Sequence, residues 1–190
     1  MPDERSIMPA VNRGLIVMIG QLTARKGQLL ALQALSAVRD YDWQALVIGE
    51  GEGVTELQST VEAQSLTDRV TFTGTLPRSE VQQLLARRPI FVSLSLRDSG
   101  GMALLEAAAA GCPLVFLGVG GPRQLMGSVA DGIIPPGDPE DVIHATVTVL
   151  RRLMDDADYA ELAGRDALRV VRTLDWNSKG DALRWLYGDA

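Results

Sequence analysis

The chain has 190 residues, 46% of them hydrophobic and 22% charged, which fits one packed domain of ordinary size and excludes a disordered tail. Its net charge of -6 excludes a surface built to neutralise nucleic-acid phosphates, because that needs clustered Lys and Arg. The single cysteine, Cys112, excludes an internal disulfide and fits a reducing compartment.

In chain order, residues 1–13 are polar and acidic, without the apolar core of a signal peptide. From Gly14 onward, short apolar runs alternate with segments of helical period. The runs predict six strands, at Leu15–Ile19, Gln44–Ile48, Val70–Thr73, Ile90–Leu94, Leu114–Leu117 and Gly132–Ile134. Between them the spacing predicts helices near Gly27–Arg39, Val54–Gln64, Ser79–Ala86 and Met102–Ala110, a short one at Arg123–Met126, and one at Glu140–Leu153. Two closing helices follow, near Tyr159–Arg172 and Trp176–Tyr187. The apolar stretch Ala107–Gly121 is too short to span a bilayer and is broken by Gly111 and Pro113. Arg87-Arg88 and Arg151-Arg152 read as solvated helix ends, and Cys112 as a small buried residue before Pro113.

This alternation predicts an α/β fold: one Rossmann-like, doubly wound parallel sheet of order 3-2-1-4-5-6, with extra C-terminal helices. In such a sheet, ligands bind beyond the strand ends where the winding reverses. The loops Gln21–Lys26 and Leu96–Gly101 should therefore face each other across a crevice.

Both loops carry residues suited to an anion. Asp98 and Ser99 can cap the helix that follows, and Gly100 and Gly101 let a ligand approach the N–H groups of its first turn. Glu106 lies about two turns into a helix of Met, Leu and Ala that looks apolar on every side, so its carboxylate is expected to be buried and to need a partner. Vicinal sugar hydroxyls would serve, and so would an arginine from a neighbouring loop. Across the crevice, Lys26 can reach a phosphate held near the start of the first helix, with Gly27 keeping the approach open.

These residues resemble a family, the retaining glycosyltransferases of the two-domain GT-B architecture (group 1, family 4-like). The resemblance runs from Gly14 to Tyr187 through Gly20-Gln21, Lys26-Gly27, Gly49-Glu50-Gly51 and Asp68 to Gly74. Its most specific part is the acid pair Asp98 and Glu106 ahead of Gly111 and Pro113, followed by Gly120-Gly121 and Leu174-Asp175-Trp176. The resemblance implies that the chain is one half of a GT-B fold, the domain that binds a nucleotide diphosphate sugar. By it, Lys26 would neutralise the diphosphate and Glu106 would bind the ribose hydroxyls. Asp98 through Met102, with Ser99, Gly100 and Gly101, would hold the diphosphate and sugar, and Gly20, Gln21 and Arg25 would line the other side. The acids Asp98 and Glu106 and Lys26 would carry catalysis, with no metal or other cofactor expected.

The sequence departs from the family pattern at Gln21, where arginine is usual, at Asp98, where glutamate is usual, and at Gln124, near a common glutamate. Arg25 or Arg123 could replace the missing charge. Residues 1–13 read as the remnant of an interdomain linker and residues 14–190 as the donor domain. A missing acceptor-binding domain or subunit would then be needed for transfer, in the cytoplasm, without nucleic acid and with membrane contact only through that missing part. The alternative is a non-catalytic binding module with a degenerate site.

Other signals read as structural. The Gly49-x-Gly51-x-Gly53 spacing differs from the dinucleotide fingerprint. Asp156 and Asp158 read as a helix start, and His144 as a surface or boundary residue with no partners for a zinc site. Ser99 lacks a histidine base, and Trp43, Trp176 and Trp185 read as packing residues.

Overall fold

A computed structural model describes residues 8–174. Six strands form one parallel sheet: β1 (Asn12–Ile19), β2 (Gln44–Ile48), β3 (Val70–Gly74), β4 (Pro89–Ser93), β5 (Leu114–Leu117) and β6 (Ile133–Ile134), in the order β3-β2-β1-β4-β5-β6. Among the described residues, seven α-helices connect and close it: α1 (Gln28–Ser36), α2 (Val54–Ala63), α3 (Arg78–Leu85), α4 (Met102–Ala109), α5 (Gly120–Met126), α6 (Pro139–Asp155) and α7 (Ala157–Arg172). The topology is the one predicted. The expected helix at Trp176–Tyr187, with Trp176 and Trp185, lies outside the described residues.

Side-chain alternation along the strands divides the core into two layers. Ile16 and Met18 of β1 join Val47, Val92 and Val115 under α1, α2 and α6. Their neighbours Leu15 and Val17 join Phe91 and Phe116 on the other face, under α3, α4, α5 and α7. Both faces of the sheet are covered, which is why its strands read as continuous apolar runs. Each large aliphatic side chain sealed in these layers contributes about 1.5–3 kcal/mol. Trp43 packs in the first layer and satisfies its indole by donating to the Val38 carbonyl at 2.9 Å.

Several boundaries differ from those the sequence predicts. β1 begins at Asn12, whose N–H donates to the Arg88 carbonyl at 3.0 Å and so extends the pairing with β4. α1 stops at Ser36, while α5 starts at Gly120 and takes in the whole glycine pair. Asp156 starts α7 as expected, accepting from the Tyr159 N–H at 2.9 Å.

Arg88 departs from the expectation of a solvated helix end. It is buried, only 2% exposed, whereas Arg87 beside it is exposed as expected. Gly111 and Gly164, lacking side chains, leave room for its guanidinium: a Cβ on Gly164 would lie 2.9 Å from Nη2. The Gly111 and Pro9 carbonyls and the Glu161 carboxylate accept its hydrogen bonds.

Candidate functional site

Because β1 lies between β2 and β4, chain winding reverses there, and the loops after β1 and β4 border one crevice beyond the strand ends. The first loop is pinned to the turn after β2: Leu22 N–H donates to the Glu50 carbonyl at 2.9 Å, and Gly53 N–H to the Leu22 carbonyl at 2.8 Å. A 3-10 turn at Ala24–Lys26 then lifts Lys26 into the crevice. Gly27 follows with φ 67, a left-handed conformation, and a Cβ there would lie 2.0 Å from the Leu94 carbonyl oxygen. Only glycine fits where the two loops pass this closely. A bond from the Leu96 N–H to the Arg25 carbonyl at 2.8 Å ties the loops together.

The second loop is organised by Asp98. Its Oδ1 accepts from the N–H groups of Gly100 at 3.1 Å and Gly101 at 2.8 Å. Its Oδ2 accepts from Lys26 Nζ at 2.7 Å. Burial acts to raise the Asp98 carboxyl, but the hydrogen bonds from Lys26, Gly101 and Gly100 and the nearby ammonium charge together hold it below the ordinary carboxylate range. Gly121 supports the turn from below: its N–H donates to the Asp98 carbonyl at 2.9 Å, and a Cβ there would lie 2.3 Å from the Ser99 carbonyl oxygen. The N–H groups of the first turn of α4 follow at once, so its positive end faces the crevice.

Between the loops lies a cavity of about 300 Å³. It brings together Gly20, Lys26, Asp98, Ser99, Gly100, Gly101 and Met102 of the residues singled out from sequence. Three others lie elsewhere. Gln21 is on an adjoining shelf with Gly49, Glu50, Thr75 and Leu76, which shares Ile19 and Gly20 with the cavity. The Arg25 side chain is exposed, and only its backbone carbonyl serves the site, accepting from Leu96. Glu106 faces a separate hollow beside α3.

Glu106 also corrects an expectation of burial. Its side chain is 42% exposed, with Arg78 Nη2 4.0 Å from Oε1. The apolar composition of α4 does not bury every face: Met102 is 66% exposed, and only Leu104, Ala107 and Ala108 point into the core. Water and Arg78 therefore solvate the carboxylate. Arg123 is exposed and donates to the Gly127 carbonyl at 3.4 Å, away from the cavity.

Gln28 was not singled out from sequence. At the first position of α1 it is 6% exposed, lines the cavity, and donates from Nε2 to the Gln21 carbonyl at 3.0 Å. A polar residue directly after the Lys26-Gly27 turn was the available signal.

The family model described as glycosyl transferases group 1 matches residues 3–165. A 2-deoxystreptamine glucosyltransferase of Streptomyces kanamyceticus is 32% identical over 165 residues, 85% of this chain and 42% of that protein. A D-inositol 3-phosphate glycosyltransferase of Corynebacterium glutamicum is 26% identical over 183 residues, 92% of this chain and 43% of that protein. The chain thus spans less than half the length of these relatives. Among solved structures, a sucrose-phosphate synthase from Thermosynechococcus elongatus matches with a TM-score of 0.76 at 21% identity, over 94% of this chain and 47% of that one. The C-terminal domain of a group 1 glycosyltransferase from Francisella tularensis matches with a TM-score of 0.74 at 22% identity, over 89% of this chain and 95% of that one. Its sheet order, its two crevice loops and these matches together make the chain a member of the group 1 glycosyltransferases, with the Rossmann-like fold of GT-B enzymes.

Proposed function

We propose that this chain binds the nucleotide diphosphate sugar donor of a retaining glycosyltransferase. The observation that carries this reading is the convergence of Lys26 and the start of α4 on one cavity at the reversal of winding. A diphosphate there meets an ammonium and a row of backbone N–H groups, the arrangement that stabilises charge on a departing phosphate. The neighbouring shelf of Gly49, Glu50, Thr75 and Leu76 is continuous with it and would take the base. Glu106, open to solvent between α3 and α4, would accept from the ribose hydroxyls. Positive charge comes from the protein in this reading, so no metal is required. Retention of configuration rests on the resemblance of Asp98 and Glu106 to the family's acid pair. The acceptor would be held by a further domain, and this chain alone would bind donor and transfer little.

The test is calorimetric titration of the chain with UDP, GDP and ADP and their sugar conjugates. One nucleoside diphosphate should bind saturably, and Lys26→Ala should weaken it by about 10- to 100-fold, the loss of one charge-assisted hydrogen bond.

A second reading is a binding module without transfer. It is favoured by the Lys26–Asp98 pair, in which the cation of the site is already neutralised by a residue of the same cavity. Absence of binding by every nucleotide, with the fold intact, would put this second reading first.

A further inference from the structure

Gln28 opens α1 as a buried amide on the wall of the donor cavity. A buried amide lowers stability wherever its hydrogen-bonding groups are left without partners. This one is only half satisfied. Its Nε2 donates to the Gln21 carbonyl at 3.0 Å, while its Oε1 is buried with no hydrogen-bond partner among the described residues. The carbonyl can only accept, so the donor end of the amide must be the one that faces it. Nor does that carbonyl need the amide for its own satisfaction, because the Thr23 N–H donates to it at 3.1 Å. A methionine would fill a similar space with a similar helix propensity and strand no acceptor. Stability alone therefore does not account for the amide.

Its bond to Gln21 holds a peptide that borders two hollows. The Gln21–Leu22 peptide is gripped at both ends: Gln28 and Thr23 donate to its carbonyl, and its N–H donates to the Glu50 carbonyl at 2.9 Å. Gln21 and Glu50 line the shelf, Gln28 lines the donor cavity, and Gly20 lines both. A Cβ on Gly49 would lie 2.0 Å from the Gly20 carbonyl oxygen, so the strip Gly20–Leu22 has no slack on its shelf side. We propose that Gln28 is a positioning residue for the donor: its amide fixes the Gln21–Leu22 peptide and thereby the spacing between the phosphate cavity and the base shelf. This rests on the donor reading given above. Gln28 then acts on a ligand that spans both hollows, and leaves unaffected one that fills the phosphate cavity alone.

The experiment compares the full chain with Gln28→Met, by calorimetric titration with UDP, GDP and ADP, by competition of inorganic pyrophosphate against the nucleotide that binds, and by urea denaturation. That nucleoside diphosphate should bind Gln28→Met about three- to tenfold more weakly, the range of one neutral hydrogen bond. Pyrophosphate should compete equally well in both proteins, and the urea midpoint should not fall. Lys26→Ala is the reference, and should weaken nucleotide and pyrophosphate alike. Parallel weakening of both ligands by Gln28→Met, or a lowered midpoint, would mean that the amide only supports the start of α1, and would overturn the proposal. Failure of pyrophosphate to compete would overturn it too, since the phosphates would then lie elsewhere. Nucleotide binding that Gln28→Met leaves unchanged would remove the positioning role and keep the donor reading. No nucleotide binding by the unaltered chain would remove both.

Discussion

Asp98 and Lys26 form an ion pair with side chains 19% and 28% exposed, so water screens it only in part. A bound diphosphate must share or take Lys26. Asp98→Asn keeps an oxygen for the Gly100 and Gly101 N–H groups but removes the competing charge. It should therefore raise nucleoside diphosphate affinity by about three- to fivefold, measured calorimetrically. An unchanged affinity would mean that the phosphates do not reach Lys26. The same carboxyl gives a stability signature. Its value in the fold lies below that of the unfolded chain, so its contribution is complete above about pH 3.9 and is lost as pH falls through the folded value. The stability gap between the chain and Asp98→Asn should close in that acid window and stay constant toward neutrality. Cys112 behaves oppositely: burial pushes its thiol up to about 12, against a weaker opposing pull from Arg88. A disulfide reagent at pH 8 should leave it unmodified until the chain is unfolded.

At the scale of the elements, Gly27 holds the two crevice loops in contact, and Gly121 seats the second of them on α5. Gly27→Ala forces a Cβ against the Leu94 carbonyl and a left-handed backbone on alanine. It should destabilise the fold by about 2 kcal/mol or more in urea denaturation and weaken donor binding even though Lys26 is untouched. These loops were legible because strand, turn glycine and helix follow one another in sequence, and the order of the sheet follows from the same alternation. Helix ends were less legible. α5 captures Gly120 and Gly121 because the left-handed Gly120, with φ 56, begins the turn beside Asp98, a contact made only in three dimensions. The environment of Glu106 was misread for a related reason. The neighbours of α4 in sequence are apolar, but its open side is fixed by where α3 and Arg78 stop. Gln28 escaped notice because its burial depends on the loop folding back over it.

For the whole molecule, Arg88 joins parts that are far apart in sequence. Its Nη1 donates to the Pro9 carbonyl at 2.7 Å and to Glu161 Oε2 at 2.9 Å, while Nε donates to the Gly111 carbonyl at 3.0 Å. Glu161 Oε1 in turn accepts from the Val11 N–H at 2.6 Å. The segment leading into β1, the turn before β5 and helix α7 are thus fastened at one buried charge. Gly164, in the middle of α7, costs the helix about 1 kcal/mol relative to alanine and is accounted for by close approach, since a Cβ there would lie 2.3 Å from the Gly111 carbonyl oxygen and 2.9 Å from Arg88 Nη2. Among the described residues Nη2 has no hydrogen-bond partner, and the carboxylate paired with the guanidinium is that of Glu161. Glu161→Ala should therefore destabilise the fold by about 3–5 kcal/mol, the cost of stranding a buried charge. Arg88→Met in the same background should recover part of that loss, because no charge is then left behind. Urea denaturation of the two single variants and the double variant checks this through the coupling between them. A strictly additive result would mean that Arg88 is held by the carbonyls alone, and that α7 is not fastened to the start of the sheet through this pair.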